Sequence, residues 1–339
     1  MATIPGDFET LTMTEIVRLQ NQLSEVLQRR FERHLALAFT DVVGSTSYFE
    51  RFGDEAGRRM QQHHFDLLSS VLAESGGRIV DTAGDGAFTC FPTVPQAAEA
   101  LSQLQRRVTT DNVNRGREHQ MALRVGLHWG RVLTDGELVT GDAVNVCSRV
   151  TGTAAPGEIR ITHAAYVELG SEDRNRCCAI VPALQLRGVS GPVDAMVLEW
   201  LDRAVFPGAL QIEETGEVIT LPNQDTVSFG RLRDKDGVLA NDVVLTHPDK
   251  QLALQVSRWH FELRRHADGY KLRQISDGIT EVDGQLVRRT GEVPVGPGSV
   301  VRVSRILTVR FLDRDPKTII EKTIAPTDVF PPLDLSGTK

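Results

Sequence analysis

The feature that most constrains this chain is a change of pattern near Arg203. Upstream of it, short apolar segments alternate with longer amphipathic ones. Downstream, only strand-length segments remain, cut at close spacing by Thr215-Gly216, Leu221-Pro222-Asn223, Asp236-Gly237, Asp268-Gly269, Asp277-Gly278, Asp283-Gly284 and Pro297-Gly298. Strands interleaved with helices predict α/β or α+β layering. Strands parted by turns alone predict an all-β sandwich. A length of 339 residues is comfortable for two domains.

In the upstream part, residues 35–40 read as a buried strand, and a long helix follows through residues 60–72. Residues 77–80 and 87–91 read as a hairpin about Gly84-Asp85-Gly86. Residues 97–108 read as a helix, 121–129 as a strand and 143–150 as a short helix, with closing strands near Ile159, Leu184 and Met196. Ahead of all these, Ile16, Leu19, Leu23 and Val26 repeat the three-then-four step of a coiled-coil seam, with Thr14 placed to cap it. About two heptads are marginal alone, so this helix needs a partner, either its own domain or a second copy.

Composition narrows the function. Hydrophobic residues make up 40% and charged residues 24%, an ordinary globular balance. The formal charge of −7 gives no electrostatic reason to expect nucleic acid as the main partner. No apolar run approaches the roughly 18 residues that span a bilayer. The first residues lack a basic segment followed by an apolar one, so a cytoplasmic protein is expected. Cys90, Cys147, Cys177 and Cys178 form no C-x-x-C pair, which suits neither a zinc site nor a disulfide framework. His63 and His64 point about 100° apart on a helix and read as surface or packing residues rather than chelators.

Two carboxylates carry the chemistry. Phe39-Thr40-Asp41-Val42-Val43-Gly44-Ser45-Thr46 puts Asp41 at a strand end, followed by a small-residue turn into a helix. Such a turn offers backbone N–H groups to a phosphate. Asp85 sits in the tight turn Gly84-Asp85-Gly86. Together the two could hold paired divalent cations over a triphosphate.

In this order the segments resemble the class III adenylate/guanylate cyclase catalytic domain, over roughly residues 35–202. The resemblance implies an α+β, ferredoxin-like domain, a mixed sheet with flanking helices. Asp41, the neighbouring Val42 and Asp85 match its metal-binding positions, for two Mg2+ or Mn2+ ions. Gly44, Ser45 and Thr46 match its phosphate turn. Gly141-Asp142-Ala143-Val144-Asn145-Val146-Cys147-Ser148-Arg149 matches the helix bearing its transition-state asparagine and arginine. Asn145 and Arg149 are one helical turn apart and can reach one ligand. Gly126-Leu127-His128-Trp129-Gly130 matches the preceding strand, except that Trp129 replaces a smaller residue. Arg187-Gly188-Val189 resembles a late turn that touches the terminal phosphates. The implied reaction is attack of the ribose 3′-hydroxyl on the α-phosphorus, with pyrophosphate leaving, in a homodimer whose partner supplies the asparagine and arginine.

The base-reading positions depart from the family. Asp81 stands where adenylate cyclases carry lysine and guanylate cyclases glutamate, and Leu138 where Asp or Thr is common. A carboxylate accepts protons, which suits guanine N1–H and N2–H₂ or uracil N3–H better than adenine N1. Against this, Asp is shorter than Glu, Glu137 is placed to take over the second role, and ATP-using relatives are common. The substrate is therefore ATP or GTP, with the base left open.

In the downstream part, Phe229-Gly230-Arg231, Asn241-Asp242-Val243-Val244-Leu245 and Val256-Ser257-Arg258-Trp259-His260-Phe261 follow in order. They resemble the forkhead-associated (FHA) domain, an all-β sandwich that binds phosphothreonine peptides. The resemblance implies that Arg231 and Ser257 hold the phosphate, with Arg258 nearby and His260 shaping the loop. Asp277 replaces an expected asparagine and brings negative charge toward that pocket. Residues 246–255 are longer than the usual connection.

The expected organisation is an N-terminal helix over 1–33, a cyclase domain over 34–203, an FHA domain over 211–313 and a flexible tail over 314–339. Thr318, Thr323 and Thr327 offer phosphorylation sites by which the tail, or a phosphothreonine-containing partner protein, would dock and regulate. Two rival readings stand beside this: an inactive cyclase-like dimerisation scaffold presenting FHA domains, and a two-metal polymerase-like domain. The Asn145/Arg149 pair favours the cyclase over the latter.

Overall fold

The computed structural model describes residues 11–189, 191–202, 204–235, 238–289, 291–313 and 318–320. Helix α1 (Met13–Phe31) opens with a capping box in which Thr12 accepts from the Glu15 N–H and Glu15 accepts from the Thr12 N–H. Thr12, not Thr14, is therefore the cap, because only Thr12 has a glutamate three residues on. No residue of α1 is buried, and Ile16 and Leu23 are about half exposed, at 48% and 56%. The helix does not bury its apolar seam on its own domain.

Strand β1 (Glu32–Val42) then enters a sheet, followed by α2 (Ser45–Ser75), the hairpin β2 (Arg78–Ala83) and β3 (Gly86–Phe91), and α3 (Val94–Asn112). Next come β4 (Leu123–Thr134), β5 (Val139–Thr140), α4 (Asp142–Thr153), β6 (Ile159–Thr162), β7 (Cys177–Val181) and β8 (Ala195–Leu198). The main strand order is β2-β3-β1-β4-β6-β8-β7. β1 runs antiparallel to β3 and β4, while β4 and β6 are parallel, so the sheet is mixed. The upstream domain is thus α+β.

Sequence pattern missed β7, and near Leu184 it anticipated a strand where only one bridge, Leu184 to Val193, forms. Thr318–Ile320 pairs parallel with β7. That corrects the flexible-tail expectation for these three residues, a β-branched run suited to a strand. Thr323 and Thr327 lie outside the described residues.

The period-two rule sorts β1 between two cores. Ala36, Ala38 and Val42 face the layer that includes Leu68 and Leu101 of α2 and α3, whereas Leu37 and Phe39 face the layer of Ala143, Val144 and Cys147 of α4. Asp41 follows Leu37 and Phe39, so it projects on the α4 side, while Thr40 projects toward α2.

The downstream part begins with β9 (Ala209–Ile212), β10 (Glu217–Thr220) and β11 (Thr226–Gly230), which belong to two sheets, one of six strands and one of five. Leu210, Val309 and Phe311 of one sheet and Val227, Phe229, Phe261 and Leu272 of the other lie in a single buried cluster. The two parts of the chain also meet. Asp225 accepts from Thr109 and Asn112 of α3 and from the buried Arg265, and Arg117 holds Asp242 through two bonds of 2.8 and 2.7 Å.

Candidate active site

Asp41 ends β1 as a buried side chain, 5% exposed. Its cross-strand partner in β4 is Arg124, whose Nε donates to Asp41 Oδ2 at 2.5 Å. Burial pushes the Asp41 carboxyl above its ordinary range, the charge of Asp85 pushes it further, and the Arg124 guanidinium pulls it back. The two expected carboxylates lie on adjacent chain segments, since Thr40 pairs with Ala87 across β1 and β3. Asp85 Oδ2 is buried and has no hydrogen-bond partner. A buried carboxylate oxygen without a donor is costly, and a cation beside it removes the cost. The pair fits a divalent cation on these grounds; Val42, the third expected position, follows Asp41 as the last residue of β1. Among the described residues no third carboxylate, histidine or cysteine joins them.

The expected phosphate turn lies directly ahead. Val43 N–H bonds the Ala122 carbonyl, pinning the chain to the entry of β4. Gly44 then takes φ 73°, a left-handed conformation that a side chain would strain, and begins α2. No side chain caps this helix start, so the first-turn N–H groups at Ser45 and Thr46 are available to an anion.

Asn145 and Arg149 stand on α4, Asn145 exposed and Arg149 half-buried. The Arg149 guanidinium lies against the Arg187-Gly188 turn: a Cβ at Gly188 would sit 3.1 Å from Arg149 Nη2. Arg187 is exposed beside it. The fold therefore joins the helix arginine to the late basic turn. Among the described residues, neither Asn145 nor Arg149 forms a hydrogen bond or ion pair with Asp41 or Asp85.

The two expected base-reading positions lie on segments that are tied together. Arg78 Nη1 in β2 donates to the Glu137 carbonyl at 3.1 Å, tying the strand of Asp81 to the loop of Leu138. Asp81 is exposed and its Oδ1 accepts from the Thr82 N–H. Leu138 is 53% exposed, its N–H taken by Asp135.

In the downstream part, Arg231 N–H donates to the Ser257 carbonyl, and Arg231 Nε is buried without a partner. Asn241 staples two loops by donating to the Leu232 and Arg258 carbonyls. Ser257 N–H donates to His260 Nδ1 at 3.0 Å, and a Cβ at Gly278 would lie 3.0 Å from Ser257 Oγ, so these loops converge. Arg258 is exposed. Asp277 forms a 2.8 Å ion pair with Arg289, both well exposed, so its charge has a counter-ion of its own.

Two residues near the carboxylates, Arg124 and Gln61, escaped sequence reasoning, and a third, His64, read there as a surface or packing residue, is packed in the core. Arg124 was invisible because its pairing depends on strand register. Gln61 of α2 donates to the Gly84 carbonyl. His64 is fully buried, with Nε2 3.0 Å from Thr40 Oγ1 and Nδ1 3.0 Å from the Asp85 carbonyl. The available signal was its place in Met60, His64, Leu68, the buried stripe of α2. His63 is partly exposed and pairs with Asp111 at 2.9 Å, as a surface residue would.

Residues 27–191 match the family model described as the adenylate and guanylate cyclase catalytic domain. Similar curated proteins include an adenylate cyclase of Lachancea kluyveri, 28% identical over 45% of this chain and 10% of its own length. A putative adenylate cyclase 3 of Rhizobium meliloti is 27% identical over 42% of this chain and 24% of its own. An adenylate cyclase of Streptomyces coelicolor is 31% identical over 40% and 34%. The chain thus spans between 10% and 34% of the length of these relatives. Among solved structures, an adenylate cyclase from Trypanosoma brucei in its monomeric state aligns at 23% identity and TM-score 0.43, over 49% of this chain and 87% of that one. The adenylyl cyclase CyaB from P. aeruginosa aligns at 20% identity and TM-score 0.42, over 50% and 95%. Residues 27–191, just under half of the chain, are thus similar to an adenylate/guanylate cyclase catalytic domain.

Proposed function

We propose that the chain is a nucleotidyl cyclase that converts ATP or GTP to the 3′,5′-cyclic nucleotide and pyrophosphate, working as a homodimer. The observation that carries this reading is the pair Asp41 and Asp85, set on adjacent segments by the β1–β3 pairing, with Asp85 Oδ2 buried and unpartnered. Asp41, the Val42 carbonyl and Asp85 would hold the divalent cations, Mg2+ or Mn2+. When bound, these supply Lewis-acid activation of the 3′-hydroxyl and neutralise triphosphate charge.

The chain's own residues do the rest. The uncapped start of α2 at Gly44, Ser45 and Thr46 receives phosphate oxygens through backbone N–H groups. Arg149 stabilises charge growing on the α-phosphoryl oxygens, Asn145 orients the ribose, and Arg187 meets the far phosphates. In the homodimer of this reading, a second copy supplies Asn145 and Arg149 to the carboxylates. The unburied apolar seam of α1 supports that dimer. Asp81 and Leu138 lie where the base is read. Asp81 is an acceptor and favours a base bearing N–H, such as guanine, whereas the curated relatives carry adenylate cyclase names.

The downstream part is read as an FHA domain that binds a phosphothreonine-containing protein. The supporting observation is the buried, unpartnered Arg231 Nε beside the Ser257 loop, a donor left over for an anion.

The test is Asp41→Ala assayed for cyclic nucleotide alongside sedimentation. The enzyme reading predicts loss of product with the dimer intact. A scaffold without turnover predicts no product from either protein.

A further inference from the structure

We infer that His64 is a positioning residue for the carboxylate pair, setting the separation of Asp41 and Asp85 from behind the sheet; this rests on the metal-binding reading of that pair. The geometry begins with β1. Successive strand residues face opposite sides, so Asp41 and Thr40 diverge. Thr40 turns toward α2 and meets His64 Nε2 at 3.0 Å, while His64 Nδ1 stands 3.0 Å from the Asp85 carbonyl. A single ring therefore links the residue before one carboxylate to the backbone of the other, without touching either carboxylate.

Donor and acceptor roles follow from chemistry. A carbonyl can only accept, so Nδ1 carries the proton. In the neutral ring Nε2 then accepts, and the Thr40 hydroxyl donates to it. Both ends are satisfied by one tautomer at a position 0% exposed. Gln61, one turn earlier on α2, donates to the carbonyl of Gly84. Two successive carbonyls of the hairpin turn are thus clamped by one face of one helix. Both residues lie beyond the break that Gly53 (φ 82°) makes in α2, on the half of the helix that packs behind the Asp85 turn. Asp85 Oδ2 has no donor of its own, so these backbone clamps and packing set its place. Groups that orient metal ligands in this way typically change metal affinity 10–100-fold when removed, a range we take as the expected scale.

The test separates the bond from the bulk. Thr40→Val keeps the shape and removes the hydroxyl, and Thr40→Ser restores it. Mn2+ alone is titrated into the full chain by electron paramagnetic resonance, with the melting midpoint recorded for each variant. The inference predicts roughly tenfold weaker Mn2+ binding in Thr40→Val and in His64→Asn, measured well below their melting midpoints, with Thr40→Ser within about twofold of the unaltered chain. A purely structural role would lower the melting midpoint and leave Mn2+ affinity of the folded protein unchanged; that result overturns the inference. Asp41→Asn is the control for the underlying reading. If the unaltered chain binds no Mn2+ that Asp41→Asn loses, the metal-binding reading itself falls and the inference with it.

Discussion

In the upstream part of the chain, buried His64 bridges Thr40 and the Asp85 backbone. In the downstream part, buried His260 bridges the Ser257 N–H and the Thr280 hydroxyl. Burial lowers the pKa of both rings, so both are neutral staples behind loops that carry charged groups. What they support has opposite sign. Behind His64 stand two carboxylates, one with an orphaned oxygen; beside the His260 loops stands Arg231, with an orphaned Nε. The difference teaches that a neutral, doubly bonded histidine fixes a loop whatever charge the loop presents. The ligand class, cation or anion, is then decided by one or two side chains.

That comparison can be broken most forcefully at the carboxylates. Asp41→Asn or Asp85→Asn should lower cyclic nucleotide production by about a thousandfold or more, because each removes an anionic ligand where charge must be neutralised. Product assays check this, and retention of a tenth of the activity would contradict it. Arg149→Ala should cost about 10²–10³-fold in turnover. Mixing Asp41→Asn with Arg149→Ala chains should restore part of it, since a mixed dimer keeps one complete site. No recovery on mixing would place both residues in a single-chain site.

Acid titration tests the histidine half of the comparison. His64 and His128 are both pulled from 6.5 to about 4 by burial. The unfolded chain takes up protons as pH falls through 6.5, while the folded chain resists until about 4. Stability is therefore full above 6.5 and falls through this window, by roughly 3 kcal/mol per ring. Denaturation from pH 7 to 4 should show the decline, and His128→Gln should flatten it. The smallest effect is expected downstream. Arg231→Ala should weaken phosphothreonine-peptide binding about tenfold or more, read by fluorescence anisotropy, with cyclase activity retained.

Much of the upstream site was legible because its parts are local. A strand ending in Asp41 before Gly44, a turn holding Asp85, and Asn145 and Arg149 one helical turn apart each need only a few consecutive residues. Arg124 and His64 were not legible, since both act through contacts between distant segments. Arg124 is defined by the β1–β4 register, and His64 by which face of α2 meets the sheet. The adjacent pair His63 and His64 illustrates the limit. Neighbours in sequence, one pairs with Asp111 near the surface and the other is fully enclosed. The downstream strands were legible from their turns, yet the Asp277–Arg289 pair, which offsets the charge expected to oppose phosphate, joins two loops and was not.

The central claim is two-carboxylate cyclisation of a nucleoside triphosphate, and product identification tests it most directly. The full chain is incubated with Mn2+ and each of ATP, GTP, CTP and UTP, and the products are separated by mass. The account predicts a 3′,5′-cyclic nucleotide and pyrophosphate from ATP or GTP, absent with Asp41→Asn. No cyclic product from any of the four, with folded dimeric protein, would contradict it.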